Sequence, residues 1–159
     1  MKSHHYKSEI KWTGNTGKGT KSYTSYERSY NIMIHGKPTL KGSADPAFRG
    51  NAELYNPEDL FLASISSCHM LWYLHFCSVN KITVIDYQDK ASAEMKLSSE
   101  GSGQFTKVNL HPKVIILEKD KIELAKSLHH KAHEFCFIAN SCNFPIQHKP
   151  KIITLETTK

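Results

Sequence analysis

The stretch Asn56-Pro57-Glu58-Asp59-Leu60-Phe61-Leu62-Ala63-Ser64-Ile65-Ser66-Ser67-Cys68-His69-Met70 decides how this chain folds. Asn56 suits a helix N-cap, Pro57 the first helical position and Asp59 the third. Orphan amides are thereby capped, and two carboxylates meet the positive end of the helix dipole. From Leu60 to Val79 apolar residues fall on nearly every face, interrupted by Ser64, Ser66, Ser67, His69 and His75. A helix of this kind is covered on most sides. Its length approaches a bilayer span of about 20 residues, but two histidines, three serines and the charges at its start point to a protein interior and no membrane.

Cys68 lies ten residues after Glu58. A second cysteine has a similar setting in Ala132-His133-Glu134-Phe135-Cys136-Phe137-Ile138-Ala139-Asn140. Here Asp120 followed by Glu123 has capping-box spacing, and Ile122, Ala125, Leu128, Ala132, Phe135, Cys136 and Ala139 form a helical stripe. Two cysteines on two apolar helices, each near a histidine, point to a paired-thiol site, with His69 or His133 placed to assist a thiolate. Cys68, His69, His133 and Cys136 also have the composition of a zinc set. Neighbours such as Cys68 and His69 point about 100° apart on a helix, however, so neither metal nor cofactor is expected. Cys77 and Cys142 read as small buried hydrophobes.

The length of 159 residues predicts one domain over 1–159, large enough to bury about 70% of the surface its unfolded chain would expose. Met1-Lys2-Ser3-His4-His5-Tyr6 runs into a polar pattern without an apolar leader core, which predicts a cytoplasmic protein with reduced cysteines. The net charge of +6 comes from dispersed lysines, among them Lys11, Lys18, Lys37, Lys81, Lys107 and Lys151. A scattered positive charge predicts a solvated basic surface and no nucleic-acid partner.

Elsewhere strand patterns dominate. Strands are expected over residues 6–12, 20–34, 82–87, 91–97, 105–110, 114–117 and 151–155, with turns at Gly14–Gly19, His35–Pro38 and Gly101–Gly103. Residues 42–55 read as a loop. The order of strands, helix, strands, helix and strand gives an α+β class, with mostly antiparallel sheets around two central helices.

Asn56-Pro57-Glu58-Asp59-Leu60 with Ser67-Cys68-His69-Met70, the early Trp12-Thr13-Gly14 and the late Ala132-His133 with Cys136 resemble the OsmC/Ohr family of thiol-dependent peroxidases, from Trp12 to about Pro150. The resemblance implies an OsmC-like fold in an intertwined homodimer, with organic hydroperoxides as substrates and a dithiol or thioredoxin-like reductant. It implies Cys68 as peroxidatic thiol, Cys136 as resolving thiol, and Glu58 as the carboxylate anchoring an activating arginine. Arg28 and Arg49 both match positions where members carry that arginine. Asn15, Thr16 and Lys18 stand where Ohr members have theirs, so the likeness is to the OsmC-like group at large. On one straight helix Glu58 and Cys68 lie about 15 Å apart. Either the helix breaks between them, or Glu58 acts on the Cys68 of a second subunit. Phe48, Phe61, Met70, Trp72, Phe135 and Phe137 lie near these motifs and suit alkyl or lipid hydroperoxides. A non-catalytic binding protein and a redox sensor share the same cysteines.

Overall fold

The computed structural model describes residues 2–155, which divide into two compact units meeting in sequence at Phe61 and Leu62. The amino-terminal unit holds β1 (Glu9–Trp12), β2 (Tyr30–Met33) and β3 (Leu40–Gly42) in one antiparallel sheet of that order. Only the four residues of β2 realise the expected strand over 20–34. Residues 20–25 form turns and bends, followed by an isolated bridge between Asn15 and Tyr26. The segment 42–55 is more structured than a loop. It begins with the end of β3 and contains a 3₁₀ turn, Pro46–Phe48, capped by Asp45.

α1 (Pro57–Val79) is continuous, so it does not break between Glu58 and Cys68. Its start is capped reciprocally: the Asp59 amide donates to Asn56 Oδ1 at 2.7 Å, and the Asn56 amide donates to Asp59 Oδ2 at 3.3 Å. Its end is a Schellman turn, with the Ile82 amide bonding to the Cys77 carbonyl and the Lys81 amide to the Ser78 carbonyl. Lys81 takes the left-handed position, φ 54°, that glycine more often fills.

The carboxy-terminal unit carries the rest of α1 with two three-stranded sheets. β4 (Val84–Asp89), β7 (Pro112–Ile116) and β9 (Lys151–Thr154) form one, ordered β4-β7-β9; β5 (Ser92–Leu97), β6 (Gly103–Leu110) and β8 (Ile146–His148) form the other, ordered β5-β6-β8. The hairpin joining β5 to β6 turns at Gly101, as its glycine pattern predicts. Both last strands pair in parallel, β8 with β6 and β9 with β7, so the sheets are mixed. β8 is too short to register as a sequence pattern. α2 (Ile122–Phe135) starts two residues later than Asp120 suggests, because Lys119–Lys121 form a 3₁₀ turn, and the side-chain cap expected from Asp120 is not made.

Periodicity explains which faces are buried. On α1 the residues Ile65, His69, Tyr73, Phe76 and Cys77 form the buried stripe; on α2 it is Ala125, Leu128, His129 and Ala132. Tyr73, Phe76, Cys77, Ala125, Leu128 and Ala132 pack with Ile82, Val114 and Ile116 into one core. Truncating a fully buried member such as Ile116 to alanine costs about 2–5 kcal/mol. Around the rest of its circumference α1 is also apolar, yet Leu71 and Val79 are exposed. Among the described residues it is the one helix long and apolar enough to cross a membrane by length and composition. Two of its polar side chains bond within this unit, Ser66 Oγ to Asp89 Oδ2 at 2.6 Å and His69 to His129.

His69 and His129 are both fully buried, joined through His69 Nε2 and His129 Nδ1 at 3.0 Å, with Tyr73 stacked on His129 at 3.8 Å. Their outer nitrogens, His69 Nδ1 and His129 Nε2, have no hydrogen-bond partner. Burial lowers both pKa values, His69 to about 3 and His129 to about 2, and the neighbouring His148, His133 and His130 act in the same direction. The unfolded chain therefore binds more protons than the folded one below the ordinary imidazole pKa of about 6.5, and stability falls as pH drops through that value. Each imidazole contributes a slope of about 1.4 kcal/mol per pH unit. Denaturant unfolding between pH 7.5 and 4.5 is expected to show this loss, and the double variant His69→Leu/His129→Phe to flatten it. An unchanged slope in the variant would assign the acid sensitivity to other groups.

Candidate functional site

The two cysteines singled out by the sequence meet in the carboxy-terminal unit. Cys68 lies about 100° around α1 from the buried His69 and is only half-buried, whereas Cys136 is fully buried. Cys136 is not within α2, as its apolar stripe suggested. It is the extended residue that ends the helix, with φ −68° and ψ 105°, its amide bonded to the His133 carbonyl. This break turns the thiol out of the helical path, and its Sγ accepts the Ala139 amide at 3.4 Å. The two thiols are neighbours and unbridged.

Burial pushes the Cys136 thiol up to about 12, against the opposing pull of the Ala139 amide, and the hydrogen bond to Cys68 adds to the rise. The pair is asymmetric: an accessible sulfur on α1 and a protonated one behind it. Aromatic rings stand beside both. Trp72, one turn after Cys68, is centred 5.3 Å from Phe135 and 5.4 Å from Phe137, which flank Cys136.

His69 does not assist Cys68. Its Nε2 is bonded to His129 and its Nδ1 has no partner, although the two residues adjoin in sequence. His133 Nδ1 is likewise without a partner. His148 completes a histidine cluster that the sequence did not reveal, with ring centres 5.5 Å from His69 and 4.7 Å from His130. Among the described residues no three His, Cys, Asp or Glu side chains are disposed to hold a metal ion. The zinc set considered from Cys68, His69, His133 and Cys136 is therefore not assembled.

The other candidate residues lie in the amino-terminal unit, where a cavity of about 320 Å³ is lined by Trp12, Tyr26, Arg28, Tyr30, Phe48 and Glu58 among others. Arg28 is fixed firmly. Its Nη1 donates to the Tyr26 carbonyl at 2.6 Å and its Nη2 to the Tyr23 carbonyl at 2.7 Å, while its guanidinium carbon lies 4.1 and 4.4 Å from those two rings. The carbonyls, not Glu58, hold it in place, and among the described residues no ion pair joins Arg28 to Glu58. Arg49 is exposed at the left-handed end of the 3₁₀ turn, 5.9 Å from the Tyr23 ring, and does not line the cavity. The structure thus separates the two arginines that the sequence left equivalent. Trp12 is seated by its Nε1, which donates to the Glu27 carbonyl at 2.9 Å past Gly14, where a Cβ would collide with both groups.

The family model described as OsmC-like protein matches residues 50–151, which include α1, both cysteines and α2. An OsmC-like protein of unknown function from Vibrio cholerae superposes with a TM-score of 0.82 at 28% identity, covering 94% of this chain and 100% of that one. An OsmC-like protein from Mycoplasma pneumoniae gives 0.70 at 12% identity over 96% and 99%. An organic hydroperoxide resistance protein from Elizabethkingia anophelis gives 0.68 at 22% identity over 98% and 100%. No curated protein matches the chain. With the greater part of its length matched by the family model and the Vibrio protein superposing throughout, this chain belongs to the OsmC-like protein family.

Proposed function

We propose that this protein is a thiol-dependent peroxidase that reduces organic hydroperoxides, acting as a single-domain OsmC-like chain in a cytoplasmic homodimer. The observation that carries this reading is the asymmetric thiol pair: a half-buried Cys68 in contact with a fully buried, protonated Cys136. Cys68 as thiolate attacks the terminal peroxide oxygen. The S–O bond forms as the O–O bond breaks, sulfur gives two electrons, and a Cys68 sulfenic acid and an alcohol result. Cys136 then condenses with the sulfenic acid, its proton leaving with the hydroxyl as water, to close a Cys68–Cys136 disulfide. A dithiol or thioredoxin-like reductant reopens it by exchange. Similarity to a hydroperoxide resistance protein from Elizabethkingia anophelis and to another from Legionella pneumophila supports the substrate class.

Arg28 is the activating cation in this reading, and Glu58 the carboxylate balancing it in the same cavity. Because α1 is unbroken, Glu58 and Cys68 of one chain stand about 15 Å apart along the axis, which an arginine does not bridge. The cavity of one chain therefore serves the Cys68 of the other, and the apolar residues of α1 left exposed, Leu71 and Val79, supply surface for that association. Trp72, Phe135 and Phe137 would favour an alkyl or lipid chain over hydrogen peroxide.

Reduced protein mixed with cumene hydroperoxide is expected to lose two thiols and to consume reductant catalytically. Cys68→Ser should abolish both, and Cys136→Ser should stop at a trappable sulfenic acid. Inert thiols in the native protein would refute the peroxidase; stoichiometric disulfide without turnover would make it a sensor.

The arginines are separable by the same assay. Arg28→Met is expected to lower kcat/KM by about 100-fold, the scale of losing one charge-stabilising donor. Arg49→Met should stay within about threefold, as expected of a side chain that does not touch the transition state. The reverse ranking would move the site to the 3₁₀ turn.

A further inference from the structure

The cavity that holds Arg28 and Glu58, lined also by Ser43 and Asp45, contains the phenol of Tyr30. Tyr30 opens β2, opposite Trp12 on one side and Gly42 on the other, so these three positions form one row across the sheet. Gly42 is what admits the ring. A Cβ there would stand 2.4 Å from Tyr30 Cζ and 2.6 Å from its hydroxyl, so no other residue leaves the phenol where it is. Tyr30 and Glu58 are each only partly buried, so both stay reachable from the cavity. Burial raises the Tyr30 pKa and the Glu58 charge raises it further, which keeps the phenol protonated and places it within electrostatic range of that carboxylate. A protonated O–H in the same cavity as a fixed guanidinium is a hydrogen-bond donor available to a ligand there.

Resting on the peroxidase reading above, we propose that Tyr30 is a substrate-binding and proton-donating residue, whose hydroxyl serves the leaving oxygen of the hydroperoxide. When the thiolate takes the terminal oxygen as OH, the O–O electron pair departs on the alkyl-bearing oxygen as alkoxide. Tyr30 Oη hydrogen-bonds that oxygen as charge develops and passes it a proton, giving the alcohol, and the phenolate regains its proton from water. Arg28, held by one bond from each terminal nitrogen to a carbonyl, supplies fixed positive charge and Tyr30 supplies the transferable hydrogen.

Leaving-group dependence tests this. An alkoxide from tert-butyl hydroperoxide needs a proton to leave, whereas the carboxylate from peracetic acid does not. Tyr30→Phe is expected to slow Cys68 oxidation by tert-butyl hydroperoxide about 100-fold while changing the peracetic acid rate less than about threefold. Gly42→Ala, which displaces the phenol, should show the same selectivity. Equal rates for Tyr30→Phe and wild type on both oxidants, or equal loss on both, would overturn the role of Tyr30 while leaving the peroxidase intact. Wild-type protein inert to both oxidants would overturn the peroxidase itself and this role with it.

Discussion

One unbroken helix constrains everything else in this protein. α1 runs from the Asn56–Asp59 cap to the Schellman turn at Lys81–Ile82, carrying Glu58 in its first turn, Cys68 near its middle and Tyr73 in the core. Its regular pitch settles which of these can cooperate. Cys68 shares a face with Ser64 and Trp72, turned away from the buried stripe, and so stays accessible while His69 becomes a core residue. The same pitch keeps Glu58 far from Cys68 on one chain. The cap and the uninterrupted helix leave no kink to shorten that separation, which is why the proposed function turns to a second subunit.

What was legible in the sequence follows from how local its cause is. The start of α1 could be read because Asn56, Pro57 and Asp59 satisfy the helix end with their own side chains and no tertiary help. Asp120 and Glu123 carry a similar pattern and fail, because Lys119–Lys121 take up a 3₁₀ turn before α2 begins. Tyr23 and Tyr26 look like strand residues by propensity, yet their rings and carbonyls serve to grip Arg28. Contacts of that kind override β preference and are invisible in a one-dimensional pattern. The parallel pairing of β8 and β9 depends on partners far away in sequence, so the mixed sheets could not be read from alternation alone. At the candidate site, the two cysteines stood out by their similar settings, while Glu58 was marked only by the family resemblance. The register that sets Tyr30 opposite Gly42 could not be read from the sequence.

The histidine pair shows why a neighbour in sequence is a poor guide to chemistry. His69 and His129 occupy positions where both helices present apolar residues, and each satisfies only one nitrogen. Two half-satisfied imidazoles in a core are costly compared with aliphatic packing. The hydrogen bond and the stacking of Tyr73 offset part of that cost and bind α1 to α2 in one register, because a shift of either helix would leave both rings unpaired.

In the peroxidase reading proposed above, the state of Cys136 gives the order of events. A thiol held near pKa 12 is a poor nucleophile at neutral pH, so it does not compete with Cys68 for peroxide. Once Cys68 becomes a sulfenic acid in that reaction, the proton of the neighbouring Cys136 thiol departs with the hydroxyl as water. Burial of one sulfur and partial exposure of the other fit that division of attack from resolution.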